Sequence, residues 1–240
     1  MRLSAALLCT VVHALTANAN VEKTIFLGPR AVALPDVDHS VDATRLDGLR
    51  IDVLDPASPI LATRLPVQFP SETAPRGAES WYVLQGLEDG RRYETRLCWP
   101  ATQPTDFWLD TFTIPQLFAR SKLLHSIADY ADVHAQVRKS LALPDPRDSL
   151  GQLQAPQSLL FLRVQAAASY FTTNETLMRE PRPVDVDIIL DPFILNVLPR
   201  SLGPTAIYIS IVSVFAWFLS AYIYRCLVSF ANEPLKVHTQ

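Results

Sequence analysis

Residues 80–99 read SWYVLQGLEDGRRYETRLCW, and this stretch decides the fold class. Its second half alternates between two faces, of which one carries Tyr93, Thr95, Leu97 and Trp99 and the other Arg92, Glu94 and Arg96. Period-2 alternation of this kind predicts a strand that is buried on one face. Residues 80–84 read as a second strand, and the turn-rich segment 85–90 joins the two.

Residues 82–96 also follow the pattern Y-x-L-x-G-L-x-x-G-x-x-Y-x-x-R. This pattern resembles the fibronectin type III module, in which a tyrosine corner pins a turn between strands. The resemblance supports a β-sandwich.

Further strands are expected on both sides of this hairpin, at residues 24–27, 49–54, 107–114, 158–164 and 182–190. Between them, apolar residues recur at three- and four-residue steps over residues 116–143, which predicts an amphipathic helix. Segments 29–47 and 143–156 read as loops. The predicted fold is mainly β: one or two β-sandwich-like domains with an inserted helix, followed by a C-terminal transmembrane helix.

The N-terminal residues 1–19 have the features of a signal peptide. Arg2 precedes an apolar run from Leu3 to Leu15, and Ala17 and Ala19 fit the small-residue pattern of a cleavage site. The alternative is a short buried helix of a cytosolic domain. Cleavage after Ala19 would place residues 20–200 in the lumen of the secretory pathway.

A second apolar run, from Ala206 to Tyr224, contains no charge and predicts a transmembrane helix over residues 205–225. At about 1.5 Å per residue it is roughly 28 Å long, close to the ~30 Å hydrocarbon core of a bilayer. Arg225 ends the run, and residues 226–240 would form a short cytosolic tail. The alternative is a buried core helix.

One face of this predicted helix is patterned. The positions that recur at steps of four and three are Ala206, Ser210, Ser213, Trp217, Ser220 and Tyr224. Small residues allow two helices to approach closely, and hydroxyls can bond across them. These six residues are therefore candidates for contact with a partner helix. The alternative is a passive anchor whose serines bond their own backbone.

The chain shows no catalytic, metal-binding or cofactor-binding pattern. His125 and His134 are nine residues apart, unlike the spacing of a zinc helix, and Asp185-x-Asp187 reads as an exposed strand face. A formal net charge of −3 without a basic block argues against a nucleic-acid partner. We expect a protein that is not an enzyme.

Two residue types remain to be placed. Asn174-Glu175-Thr176 is an N-glycosylation sequon on the predicted lumenal side. Of the cysteines, Cys98 is expected to be a buried core thiol, and Cys226, at the predicted membrane edge, is a candidate for palmitoylation.

Three segments together resemble a fungal family. They are residues 20–29 (NVEKTIFLGP), the block from Trp81 to Thr105, and the terminal membrane helix with its short tail. They are similar to the co-activator subunit of GPI mannosyltransferase II, the complex that adds the second mannose to the GPI precursor in the endoplasmic reticulum.

The resemblance implies a non-catalytic subunit in the endoplasmic-reticulum membrane, whose partner is a multispanning catalytic subunit that carries the sugar-transfer site. Two other classes share some of these features. A cargo receptor of the early secretory pathway would also have a β-sandwich and one membrane helix. A lumenal enzyme anchored by its C-terminal helix would need a deep polar pocket.

Overall fold

The computed structural model describes residues 20–31, 51–140 and 158–231, which form two facing β-sheets, two helices against one of them and a long C-terminal helix. The first sheet contains β1 (Val21–Leu27), β3 (Ile60–Leu65), β5 (Arg92–Cys98) and β8 (Val184–Ile194), in the order β1-β5-β8-β3, with the short β9 (Leu198–Pro199) paired to β8. The second contains β2 (Val53–Leu54), β4 (Ala78–Leu84), β6 (Thr105–Phe112) and β7 (Leu160–Ala168), in the order β2-β4-β7-β6. The predicted signal peptide, 1–19, lies outside the described residues, as do most of the two predicted loops and residues 232–240 of the predicted tail.

The two sheets share one hydrophobic core. Tyr82 and Leu84 of β4 and Leu162 of β7 belong to the same buried cluster as Leu97 of β5 and Ile188 of β8. The described strands therefore form a single sandwich, and the predicted mainly β fold with a long apolar C-terminal helix is confirmed.

A tyrosine corner fixes the turn between β4 and β5. The Tyr93 side chain is fully buried, and its hydroxyl accepts a hydrogen bond of 3.0 Å from the backbone N–H of Glu88. Gly86 and Gly90 both have positive φ, which a glycine adopts without steric cost. The hairpin that the sequence pattern predicted is thus held by its tyrosine, as in the module that it resembles.

Helices cover the outer face of the second sheet. They are α1 (Ile114–Phe118) and α2 (Ser121–Ser140). Trp81 and Phe161 on the sheet and Leu117 and Ile127 on the helices belong to a second buried cluster, on the opposite side of β4 and β7 from the sandwich core.

The predicted boundaries around these helices were wrong. The strand expected to reach Ile114 ends at Phe112, because the Thr113 side chain caps α1 in a capping box with Gln116. Pro115 lies in the first turn of α1, where its missing N–H costs no hydrogen bond, so it starts a helix instead of ending a strand. The single helix expected over residues 116–143 is two helices in the described part of the chain.

Several strands also differ from expectation. The strand predicted over 49–54 is present only as Val53–Leu54, β1 begins earlier, at Val21, and β8 runs from Val184 to Ile194. β3, Ile60–Leu65, was not predicted, and β7 continues to Ala168, beyond the predicted end at Val164. Alanines carry little strand signal, and β3 is a short edge strand whose outward residues mix apolar and charged types.

The sandwich leads into the long C-terminal helix through a short hairpin. After β8, the chain turns at Leu195 and Asn196, returns as β9, and passes through a 3₁₀ turn, Arg200–Leu202, into α4 (Gly203–Ala231). The buried Asp191 carboxylate accepts hydrogen bonds of 3.2 and 3.3 Å from the Ser201 N–H. A methyl group on Gly203 would lie 3.6 Å from the side chain of Ile194, so α4 begins against the end of β8.

Candidate partner-binding surfaces

The C-terminal helix α4 is long and apolar enough to cross a membrane. The candidate span, Arg200–Ser229, has no part of its most apolar window buried in the protein. A soluble core helix would be covered, so the free surface of α4 favours lipid or another protein as its surroundings. Its charge-free run and Arg225 lie in one uninterrupted helix, which extends past the predicted end at residue 225.

The six predicted contact residues lie on one face of α4, because the helix continues unbroken through all of them. We call this face the seam: Ala206, Ser210, Ser213, Trp217, Ser220 and Tyr224. Ala206 is partly covered next to the hairpin, whereas the other five are exposed.

The serines of the seam differ in their hydrogen bonding. The hydroxyl of Ser210 donates to the Ala206 carbonyl one turn back, at 2.8 Å. Within the described part of the chain, the hydroxyls of Ser213 and Ser220 make no hydrogen bond. Ser210 thus satisfies its donor within the helix and can only accept from a partner, while the other two can also donate.

Asn174 lies at the end of the sandwich opposite the C-terminal helix α4. It follows β7 and precedes β8, an 11-residue strand that runs about 35 Å to the hairpin beside α4. Its side chain is exposed, and its Oδ1 accepts from the N–H groups of Thr176 and Leu177, which caps the short helix α3 (Glu175–Arg179). The side-chain nitrogen, to which a glycan would be attached, remains free of these bonds.

The outer face of the first sheet has no covering helix among the described residues, and the sequence did not single it out. It combines exposed apolar side chains, Ile25, Leu27 and Ile60, with ion pairs. Lys23 bonds the buried Glu94 carboxylate at 3.3 Å, and Arg64 bonds Asp185 at 2.9 Å.

Asp185 and Asp187 lie on this outer face, as predicted, and their surroundings are those of an ion-paired strand. The hydrogen bonds from Arg64 and then from Gln103 lower the pKa of Asp185. Among the described residues, no group of three or more His, Cys, Asp or Glu side chains is placed to hold a metal ion.

Cys98 was expected in the core, and this prediction was wrong. It is only half-buried, and it lines a groove on the outer face of the first sheet together with Arg64, Asp185 and Asp187. The error follows from the alternation itself, because Leu97 occupies the core-facing position and its neighbour must point outward. Cys226 is a free, partly covered thiol near the C-terminal end of α4.

The outer face of the second sheet carries a polar network that fastens α2. The indole N–H of Trp81 donates to Ser126 at 3.0 Å, and Ser126 donates to Glu79 at 2.5 Å. Glu79 also accepts from Gln165 and Arg163, at 2.7 and 3.4 Å. Each of these side chains is bonded to another member of the network, although the Nε of Arg163 is buried without a hydrogen-bond partner. The network therefore fits the packing of α2 on the sheet.

The two histidines of α2 have different surroundings, because His125 is exposed and bonds within its own helix whereas His134 faces Tyr130 and Asp52. His125 bonds the Ser121 carbonyl at 2.7 Å, and His134 stacks on Tyr130 with its Nε2 3.7 Å from Asp52. Burial, followed by the charge of Asp52, raises the pKa of Tyr130 to about 12. Burial likewise raises the pKa of Tyr82, its hydrogen-bond partner.

Comparison with known proteins gives one match. Residues 67–141 match the family model Pga1, described as GPI-Mannosyltransferase II co-activator. The matched segment contains β4 to β6 and both covering helices, and it is less than half of the chain. No curated protein and no solved structure matches.

The match supports the resemblance inferred from the sequence, and with it a co-activator of GPI mannosyltransferase II. A co-activator is a non-catalytic subunit, so the match also supports the prediction that the chain is not an enzyme. It further implies association with a GPI mannosyltransferase and with the membrane of the endoplasmic reticulum.

Proposed function

We propose that this chain stabilises or activates the multispanning catalytic subunit that adds the second mannose during GPI-anchor biosynthesis. The observation that carries the proposal is the co-activator family match over residues 67–141. The exposed apolar helix α4 adds support, because such a helix can contact an integral membrane enzyme within the bilayer.

The bulk of the chain lies in the lumen in this proposal, and residues 226–240 lie in the cytosol. The predicted signal peptide supports this orientation, as does Arg225 at the end of the apolar run. The exposed sequon at Asn174 lies on the side of α4 that would then be lumenal.

The seam of α4 is the proposed contact with the catalytic subunit. Without a hydrophobic driving force between helices in lipid, association depends on close packing and on hydrogen bonds of roughly 0.6 kcal/mol each. Small side chains at Ala206, Ser210, Ser213 and Ser220 permit the close approach, and Ser213 and Ser220 have free hydroxyl donors.

The test is recovery of the catalytic subunit with the tagged full-length chain from mild detergent. Replacing Ser210, Ser213 and Ser220 by leucine should lower recovery several-fold, because leucines hold the helices apart. The matched control replaces Ile207, Ile211 and Val214, on the bulky side of α4, by leucine and should leave recovery unchanged. Equal recovery with both triple variants would assign the contact to the sandwich and reduce α4 to an anchor.

A second measurement tests the function itself. Cells depleted of the chain should accumulate GPI precursor that carries a single mannose. Normal precursor levels after depletion, or recovery of no multispanning glycosyltransferase with the wild-type chain, would refute the proposal.

A further inference from the structure

The hairpin between β8 and β9 presents apolar side chains that the fold itself does not use. Leu195 is 90% exposed and Val197 is 77% exposed at its tip. Ile194 and Leu202, on either side, are also exposed by more than a third. Four exposed apolar residues within one short segment form a patch that a water-facing loop would not be expected to keep.

The turn that presents Leu195 makes its residue type more unusual. Leu195 and Asn196 both have positive φ, at 52° and 58°, as in a type I′ turn. That conformation favours Gly, Asn or Asp, and it is uncommon for a leucine. Neither the turn geometry nor packing within the sandwich explains a leucine at this position, which points to a contact outside the chain.

The hairpin tip is held in a fixed position. The Asn196 side chain accepts from the Arg92 N–H at 2.8 Å and donates to the Gly90 carbonyl at 3.1 Å. Arg91 donates to the Phe193 carbonyl at 3.4 Å. These bonds join the tip to the β4–β5 turn, so the apolar side chains cannot fold back onto the sandwich without breaking them.

The position of the tip relative to α4 sets its depth. Ile194 lies against Gly203, and the apolar run of α4 begins at Ala206, about 4.5 Å of helix rise further on. The headgroup region of a leaflet adds roughly 5–8 Å outside the hydrocarbon core. Leu195 follows Ile194 directly, so the tip is at the depth of the headgroups wherever α4 spans a membrane.

The surroundings of the tip fit phospholipid headgroups. Arg91 and Arg200 line the groove under the tip, with Asp89 as the carboxylate in its lining. Arg91 is already paired with the Glu88 carboxylate at 2.5 Å, so Arg200 is the arginine of this groove whose donors are left for a phosphate. Arginine donors suit phosphate oxygens, and apolar side chains beside them suit the upper acyl chains.

We propose that the β8–β9 hairpin is a second membrane contact, with Leu195 and Val197 inserted into the leaflet where α4 begins. The occupant of this patch is the lipid bilayer, to which α4 already connects it. The sandwich is thereby held on the membrane surface at two points, independently of any protein partner.

The test places a polarity-sensitive fluorophore at the tip of the full-length chain. In a background with Cys9, Cys98 and Cys226 replaced by serine, the label is attached to Val197→Cys or Leu195→Cys. The chain is reconstituted into phosphatidylcholine vesicles that contain some phosphatidylinositol and lipids with nitroxide-labelled headgroups. The matched control is Phe171→Cys. Phe171 is 86% exposed and lies between β7 and β8, at the end of the sandwich opposite α4.

Both tip labels should be quenched at least twofold more strongly than the Phe171→Cys label, and their emission should shift to shorter wavelength. A tip label that is quenched no more than the control, in vesicles without other proteins, overturns the proposal and assigns the patch to a protein partner. Circular dichroism of each labelled chain shows that the sandwich is retained. Leu195→Asp should lower the quenching of the Val197→Cys label, since a carboxylate disfavours insertion.

Discussion

Tyr93 is the residue on which the central turn depends. Its hydroxyl accepts from the Glu88 N–H, and the Tyr93 side chain loses its contact with water when the sandwich forms. Tyr93→Phe keeps the ring but leaves that N–H unpaired, which should lower the free energy of unfolding by about 1–2 kcal/mol.

Thermal unfolding of the full-length chain in detergent, followed by tryptophan fluorescence, measures this effect. The matched control is Tyr170→Phe, because the Tyr170 hydroxyl bonds the Leu177 carbonyl at 3.3 Å on a more open part of the fold. We expect a smaller loss there. Equal losses in the two variants would mean that the tyrosine corner adds no special stability.

Tyr130 makes stability depend on alkaline pH. Its pKa rises from 10.0 to about 12 on folding, so the folded chain keeps the phenolic proton after the unfolded chain has lost it. The stabilisation is complete below about pH 10 and is lost as the pH rises towards about 12. It should amount to about 3 kcal/mol, since the pKa rises by about two units and each unit corresponds to about 1.4 kcal/mol.

Denaturant unfolding at several alkaline pH values tests this dependence. Tyr130→Phe should flatten the fall in stability over that window, with Tyr82 leaving a residual dependence, because its pKa is raised as well. An unchanged pH dependence in the variant would show that Tyr130 does not keep its proton in the folded state.

At this scale, the sequence predicted which side of β5 is buried but not how each outward residue is used. Tyr93, Thr95 and Leu97 are fully buried, as the alternation indicated. Glu94 on the opposite face is also buried, because Lys23 of the neighbouring strand covers and pairs it. The alternation indicates which way the Glu94 side chain points. Its burial depends on Lys23 of β1, which is 71 residues away in the chain.

The helices over the second sheet explain why residues 81–84 of β4 are apolar on both faces. Tyr82 and Leu84 face the sandwich core, while Trp81 and Val83 face the helices. Such a two-sided apolar run indicates a strand that is covered on both sides. Read in this way, residues 81–84 could have located the helix over the second sheet, although only the fold shows which helix it is.

Ile127→Ala should therefore destabilise the chain strongly. Ile127 is almost completely buried between α2 and the second sheet, and shortening such a side chain costs about 2–4 kcal/mol. Val133→Ala, on the exposed side of the same helix, should cost less than about 0.5 kcal/mol beyond its helix propensity. The two variants are compared by denaturant unfolding, and similar midpoints would contradict the packing of α2 described above.

The orientation of the whole molecule can be tested at Asn174. If the sandwich is lumenal, expression in cells should yield a glycosylated chain whose gel mobility increases after endoglycosidase treatment. Asn174→Gln and Thr176→Ala should abolish that shift, while Thr176→Ser should retain it because serine also completes the sequon. A wild-type chain without the shift would remove this support for a lumenal sandwich.

The sequence predicted the general plan of the molecule better than its surfaces. Local periodicity sufficed for the hairpin, the presence of helix between β6 and β7 and the apolar C-terminal helix. The outer face of the first sheet and the β8–β9 tip were not predicted, because both are assembled from strands distant in sequence or from turn residues without a local pattern. The break between α1 and α2 carries neither Gly nor Pro, so no signal marked it.

The 3₁₀ turn Arg200–Leu202 sets how α4 is rotated relative to the sandwich. Asp191 bonds Ser201, and Ile194 lies against Gly203. These contacts fix the rotation of α4 about its own axis relative to the sandwich. One residue added early in α4 would rotate the seam by about 100° relative to the sandwich, whereas seven would restore its direction to within about 20°. A partner that binds both the seam and the sandwich must match this rotation. The number of residues in the turn would therefore set the angle at which such a partner meets the two parts.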